Sequence, residues 1–412
     1  MASLNPFSVL VRHRNFRLFW IGQTLSLIGS WMQSMAQGWL ALELTNNAFL
    51  VGLVVAAGSL PVVLLSFHAG VIADRYERLR LVKICQMLLT LEATLLFLFT
   101  WSGHISIVWL LIFATARGTF SSLEIPARQS LVIELAGRED LPQAIALNSS
   151  GFNLARIVGP AIGALVIAQL GISWTFAINA LSYLAVLIGL YMIRLNPWRP
   201  SAQLVSPMEG IRESLVFMRD TPMVSELMKL VTAYSILGVP YLSLMPVFAR
   251  DRLGLDASGY GLLLSCVGIG GLAGALAIAA SGSRQAGGRT LKTSTIAYPI
   301  LLLALAATRN ATVAYTLLLL IGAAMIANGA LSNTMLQHNV PDGLRGRIMA
   351  AYSFVVVGLA QTVGSLLAGA VARPLGVQWA IAIGAAMMLG YSLLAFRHPA
   401  LQFAGTPKAR SS

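Results

Sequence analysis

Charge is what this sequence has least of. Only 10% of its 412 residues are Asp, Glu, Lys or Arg, whereas a soluble domain carries about a quarter. Hydrophobic residues make up 57%, and a soluble chain this apolar cannot cover its own surface with polar groups. A membrane-embedded fold is therefore expected. Cysteine is nearly absent: Cys85 and Cys266 both lie inside apolar runs, so they read as packing residues and no disulfide framework is expected. No Cys/His ligand spacing occurs, so no metal is expected. No G-x-x-x-x-G-K-[ST] loop occurs either, so ATP is not the expected energy source and no cofactor is implied. A membrane-embedded enzyme would need acids, a histidine or a nucleophile clustered on one helical face, and the sequence offers no such cluster. Residues 1–15 contain Arg12, His13 and Arg14 but no apolar core. No cleavable signal is expected, and the first span serves as its own insertion signal.

What is abundant is apolar runs. A helix crossing the hydrocarbon core needs about 20 residues, and twelve such runs can be drawn. They fall near 16–43, 48–73, 80–101, 105–127, 146–170 and 173–194, then near 223–249, 258–280, 290–308, 311–337, 348–371 and 376–396. The net charge is +13, but the bases flank the runs. That is topogenic charge facing an anionic leaflet rather than a nucleic-acid footprint. With the N-terminus inside, 22 of the 28 Lys and Arg residues fall in cytoplasmic segments and four in outer loops, leaving Arg117 and Arg156 inside spans. Both termini are therefore expected in the cytoplasm.

The longest break between runs opens on Asn196-Pro197 and Arg199-Pro200, which stop a helix. Ser206-Pro207-Met208-Glu209 then reads as a capping box. Met208, Ile211, Leu215 and Met218 follow at helical spacing, opposite Glu209, Arg212, Glu213 and Arg219. The expected organisation is an N-terminal six-helix bundle over 1–194, a cytoplasmic linker with a short amphipathic helix over 195–222, and a C-terminal bundle and tail over 223–412. The halves read as weak copies: Gly159 in the fifth span and Gly364 in the eleventh stand about half the chain apart. Internal duplication is common in secondary transporters, which place the substrate between the halves near mid-bilayer.

A few polar groups are stranded in the runs. Arg117 lies midway along the fourth span, where an arginine must face an aqueous cavity or a partner. Ser121 and Glu124 share its face at i+4 and i+7. Glu92 lies midway along the third span. Arg156, in the fifth, is a candidate partner for Glu92 or Glu124, and Arg78 is another for Glu124; the pairing stays open. A carboxyl held between a desolvating environment and a guanidinium can load and unload protons. A static ion pair joining two helices is the other reading. The first span carries Gln23, Ser26, Ser30, Gln33 and Gln37 on one face, suited to a wet cavity or to interhelical hydrogen bonds. The tenth span adds Asn328 and Ser332. The seventh adds Tyr234 and Tyr241 and is interrupted by Pro240 and Pro246; a broken helix marks a site or a hinge, while interfacial anchoring is the alternative for the tyrosines.

Between the second and third spans stands Gly70-Val-Ile-Ala-Asp-Arg-Tyr-Glu-Arg-Leu-Arg80. Its Gly70, Asp74, Arg75 and Arg78 resemble the loop motif of the major facilitator superfamily, with Glu77 and Leu79 departing from the usual glycine and base. More narrowly, Ala73–Arg78 together with Thr334–Gln337, Pro341 and Gly346–Ile348 resemble the branch containing bacterial siderophore exporters of the enterobactin type and macrolide-type drug exporters. The resemblance covers the whole chain. It implies an all-α fold of twelve transmembrane helices in two pseudo-symmetric six-helix bundles. It implies a cytoplasmic latch in which Asp74 accepts from backbone N–H groups near Gly346–Met349, and it links Arg117 to proton coupling. Superfamily folds line the cavity with helices one, four, seven and ten, which favours a cavity role for Gln23, Ser30, Gln33, Gln37, Ser121, Tyr234, Tyr241, Asn328 and Ser332. Gly159-Pro160-Ala-Ile-Gly163 resembles a motif of the superfamily's antiporters, although close helix packing accounts for it equally.

The resulting expectation is a proton-coupled exporter of a small hydrophobic or amphiphilic molecule, drug-like or siderophore, in the bacterial cytoplasmic membrane. The direction of transport comes from the resemblance alone; an importer or uniporter would share every helix. Implied partners are the small-molecule substrate, protons and the bilayer, with no nucleic acid. An outer-membrane export system is carried as an unidentified further partner.

Overall fold

The computed structural model describes residues 7–137, 139–194, 216–280 and 287–402, with residues 66–68, 70, 71, 73, 74, 287, 342, 343 and 402 described as backbone only. Among the described residues every regular element is a helix. After a short helix, Ser8–Arg12, come α1 (Arg14–Thr45), α2 (Ala48–Arg75), α3 (Arg78–Trp101), α4 (Ile107–Ala136), α5 (Leu141–Leu170) and α6 (Ser173–Met192). Then follow α7 (Pro222–Arg252), α8 (Ala257–Ala280), α9 (Gly287–Ala307), α10 (Ala311–Asn339), α11 (342–375) and α12 (Val377–Ala395). Ten of these are long and apolar enough to cross a membrane. The other two, α1 and α4, are 32 and 30 residues long; their polar stripe and charges lower their hydropathy.

Several helices outrun the apolar runs that announce them. Helix α4 continues to Ala136, past the expected end at 127, and α5 begins at Leu141 rather than near 146. Helix α11 begins at residue 342 rather than 348. Hydropathy marks only the part of a helix in hydrocarbon, while the backbone ladder continues into water. Of the expected linker helix, Val216–Asp220 is helical and the segment before it lies outside the described residues.

Local chemistry sets the ends. Asn47, Ser106 and Asn310 cap α2, α4 and α10, each accepting from a first-turn N–H. Gly137, Gly171 and Gly376 follow α4, α5 and α11 with φ of 73°, 93° and 89°, a region open to glycine and costly for other residues. The chain thus reverses within a residue or two.

The helices gather into two compact units: Met1–Gln203 with Asp256–Ser265, and Leu204–Leu255 with Cys266–Ser412. In the first unit α1 packs on α5 and α6, α2 on α4, and α3 on α4 and α6. One apolar cluster there includes Phe16, Phe19, Val82, Leu131 and Leu190. In the second unit α9 packs on α10 and α12, and α7 on α11. Its cluster includes Val224, Leu227, Leu291, Leu336 and Ile348. Large apolar side chains such as Leu64, Leu165, Ile188, Leu276 and Leu394 are more than half exposed. Only 28% of the apolar window of α10 is buried, against 67% in α7. Such faces belong against lipid, not water.

The same close approaches occur in each unit. A Cβ on Gly159 would lie 2.7 Å from Trp31 Cβ and 2.8 Å from the Ile28 carbonyl of α1. A Cβ on Gly364 would lie 2.5 Å from Pro240 Cγ and 3.2 Å from the Ile236 carbonyl of α7. Gly159 and Gly163 therefore bring α5 against α1 by small-residue packing. Helix α7 widens into a π-helical turn at Tyr234–Gly238, where Val239 N–H reaches back to the Tyr234 carbonyl at 3.2 Å. Pro240 supplies the cause: its ring clashes with the carbonyl four residues earlier and pushes the ladder open.

The N-terminal arm is pinned at the entrance of α5. His13 Nε2–H donates to Asp140 Oδ2 at 2.9 Å, and Arg12 Nη1 donates to Oδ1 at 3.2 Å. The hydrogen bond from His13, with the Arg12 charge, holds the Asp140 carboxyl below its ordinary range. The clasp is then in force above the usual aspartate pKa and is lost as pH falls through the lowered value. Amide exchange of Val9–His13 is expected to be slow at neutral pH, to rise on strong acidification, and to be fast at every pH in Asp140→Asn.

Candidate functional site

The stranded charges of the first unit meet in one buried network built from α1, α3, α4 and α6. Glu92 on α3 is 3% exposed. Gln33 Nε2 donates to its two carboxylate oxygens at 3.1 and 3.2 Å. The Gln33 carbonyl in turn accepts from Asn179 Nδ2 on α6 at 2.6 Å, and Ser182 Oγ donates to Asn179 Oδ1 at 3.0 Å. The α1 face that delivers Gln33 can approach α6 because Gly29 presses directly on Asn179 and Ser182.

Arg117 on α4 turns toward α1. Its Nη1 donates to Ser34 Oγ at 2.9 Å and to the Ser30 carbonyl at 3.4 Å. Ser30 Oγ lies 3.0 Å from the Tyr183 hydroxyl. Among the described residues no ion pair joins Arg117 to Glu92. The network thus holds an acid and a base in one electrostatic field, separated by the amide and hydroxyls of α1.

The remaining pairings differ from those the sequence suggests. Glu124 is buried, and Arg128 Nε of its own helix lies 2.9 Å from Oε1, with Gln86 Nε2 donating to the same oxygen at 3.4 Å. Its partner is thus neither Arg117 nor Arg156 nor Arg78, because the extra turns of α4 bring Arg128 one turn below it. Arg78 instead pairs with Glu134 near the end of α4. Arg156 Nη2 donates to Asn153 Oδ1 at 3.2 Å within α5. Arg75 is exposed, while Gly70 and Asp74 are described by their backbone alone, and the Asp74 side chain lies outside the described residues.

Gln23 and Gln37 are buried on α1, and Gln23 Oε1 and Gln37 Nε2 have no hydrogen-bond partner among the described residues; Ser121 is half-buried. In the second unit Asn328 Nδ2 donates to Thr295 Oγ1 on α9 at 2.5 Å, and Ser332 is fully buried. Tyr234 and Tyr241 are 5% and 3% exposed and surround Tyr298, at centroid distances of 4.9 and 6.4 Å. They are core residues of this unit, not interfacial anchors.

Sequence reasoning missed Asn179, Tyr183 and Ser34. Asn179 carried the same signal as Glu92, a lone polar group in an apolar run. Tyr183 and Ser34 carried none that separates them from ordinary span residues.

Among the described residues, twelve long helices in two units, with apolar faces exposed and isolated charges buried, have the makeup of a multi-pass membrane transporter. Solved structures agree on the fold. A bacterial homologue of the human lysosomal transporter Spinster superposes with a TM-score of 0.75 at 14% identity, covering 99% of this chain and all of that one. The nucleoside transporter NupG, as a D323A mutant, gives 0.72 at 14% identity over 95% of this chain and 99% of its own. The chain belongs to the transmembrane secretion effector family, whose model matches residues 2–408; this is a family of transporters, not enzymes. Among curated relatives, the staphyloferrin A transporter of Staphylococcus aureus is 28% identical over 64% of this chain and 66% of its own length. The multidrug efflux pump Tap of Mycolicibacterium fortuitum is 27% identical over 85% and 87%. The enterobactin exporter EntS of Shigella flexneri is 25% identical over 83% and 81%.

Proposed function

We propose that this protein exports a small hydrophobic or amphiphilic molecule, a drug-like compound or a siderophore, across the bacterial cytoplasmic membrane by alternating access coupled to proton entry. The observation that carries the reading is Glu92, buried yet joined to an amide rather than to a base. Relatives that export siderophores and drugs support the direction and the substrate class. Glu92 is the proton carrier. Arg117 offsets the ionised state, and Gln33 and Asn179 transmit its protonation to α1 and α6. The basic flanks of the spans support a cytoplasmic position for both termini. Asp74, with Arg75 and Arg78, forms the gating loop.

The test is efflux of a dye panel and of a catechol siderophore from cells lacking other exporters, with and without a protonophore. Efflux of at least one compound is expected to stop on collapse of the proton gradient and to be lost in Arg117→Ala and weakened in Asp74→Asn. Gradient-independent movement, or accumulation instead of efflux, would favour a uniporter or importer of the same fold. Wild-type efflux by both variants would remove these residues from the mechanism.

A further inference from the structure

Away from the buried network, the second unit carries an open groove of about 860 Å³. Its walls are the end of the linker helix, the first three turns of α7 and Tyr391 of α12. Two cations stand on it. Arg219 is exposed and has no ion pair among the described residues. Lys229 donates to Glu226 Oε1 at 2.8 Å, which engages one of its three N–H groups and leaves two. Thr232 Oγ1 already donates to the Met228 carbonyl at 2.8 Å, so its remaining capacity is to accept. Beside the cations the lining is apolar and deformable, made by Met218, Met228 and the ring of Tyr391.

This combination selects a ligand. The cations and their spare N–H groups suit a phosphodiester oxygen. The thioethers and ring offer nothing to a free phosphate ion but can receive the start of an acyl chain. Basic pockets between the ends of membrane helices bind acidic headgroups for this reason. We propose that the groove holds the phosphodiester head and glycerol end of an anionic phospholipid drawn from the surrounding membrane. Bound there, the lipid would bridge the linker helix, α7 and α12.

The experiment uses the full-length protein, delipidated in mild detergent, with lipid retention read by native mass spectrometry. Phosphatidylglycerol is expected to be retained over phosphatidylcholine by about thirtyfold, as two basic contacts near a headgroup imply. In Arg219→Gln/Lys229→Gln the preference should disappear. In Arg289→Gln/Lys292→Gln, an equally basic pair on α9 that does not line the groove, it should persist. Met228→Trp keeps both charges but fills the apolar wall, and should lower phosphatidylglycerol retention too. Millimolar inorganic phosphate should leave the lipid in place. The proposal is overturned if wild type retains the two lipids alike, if the groove double variant behaves as the α9 one does, or if phosphate alone displaces the lipid.

Discussion

Glu92→Gln is expected to bring proton-driven efflux down to the level of cells without the transporter while leaving the fold intact. The amide has the shape of the carboxyl, and its oxygen can still accept from Gln33 Nε2, so the α1–α3 contact keeps one of its two bonds, at 3.1 and 3.2 Å in the native protein. What the variant lacks is a site that binds and releases a proton. Holding an ionised carboxylate away from water against a single amide is costly, and the Arg117 charge offsets that cost. On the proposed reading the native carboxyl can be protonated or ionised, whereas glutamine has one state. Substrate exchange in proteoliposomes without a gradient needs no proton and should survive in Glu92→Gln. Glu92→Asp, shorter by a methylene but still titratable, should couple at reduced rate. Loss of exchange together with efflux would make Glu92 a structural residue. Wild-type coupling in the glutamine variant would move the proton site elsewhere.

The network shows how far a single sequence reaches. Glu92, Arg117 and Gln33 could each be picked out, because a polar group in an apolar run is costly enough to need a reason. Their partners could not, because partnership between helices depends on rotation and depth, which hydropathy does not carry. Glu124 illustrates the gap. It shares a helical face with Arg117 at i+7, yet pairs with Arg128 at i+4. That pairing was hidden because the apolar run ends near 127 while the helix continues to Ala136. The twelve spans themselves were legible, since the hydrocarbon thickness fixes their length. Pro240 announced a break in α7, and the break proved to be a π-helical turn, because the widened turn re-satisfies the ladder through Val239 N–H and the Tyr234 carbonyl. The tyrosine group around Tyr298 had no sequence signal linking α7 to α9; only the packing brings it together.

Gly118→Val is expected to destabilise the protein more than any exchange of one apolar residue for another on its lipid-facing surface. Gly118 sits next to Arg117, where α4 crosses α2. A Cβ there would run into the backbone carbonyl of Gly58, with Pro61 Cδ only 3.3 Å away. Backbone cannot rotate aside as a side chain can, so the helices must separate, and overpacking of this kind costs about 1–3 kcal/mol. The second unit repeats the device, with Gly322 of α10 against the Val267 carbonyl of α8, so Gly322→Val should behave alike. Gly390 on α12 is the contrast: nothing lies within 4 Å of its Cβ position, and Gly390→Ala should be neutral or stabilising by up to about 1 kcal/mol, the helix preference of alanine over glycine. Thermal unfolding of the purified variants in one detergent separates the two cases. The Gly118 variant carries a functional consequence as well. Separating α4 from α2 shifts the turn that aims Arg117 at Ser34, so any folded fraction should export poorly even where it survives purification. A Gly118→Val protein that melts with wild type would mean that α2 and α4 do not touch at this glycine. The aim of Arg117 would then need another cause.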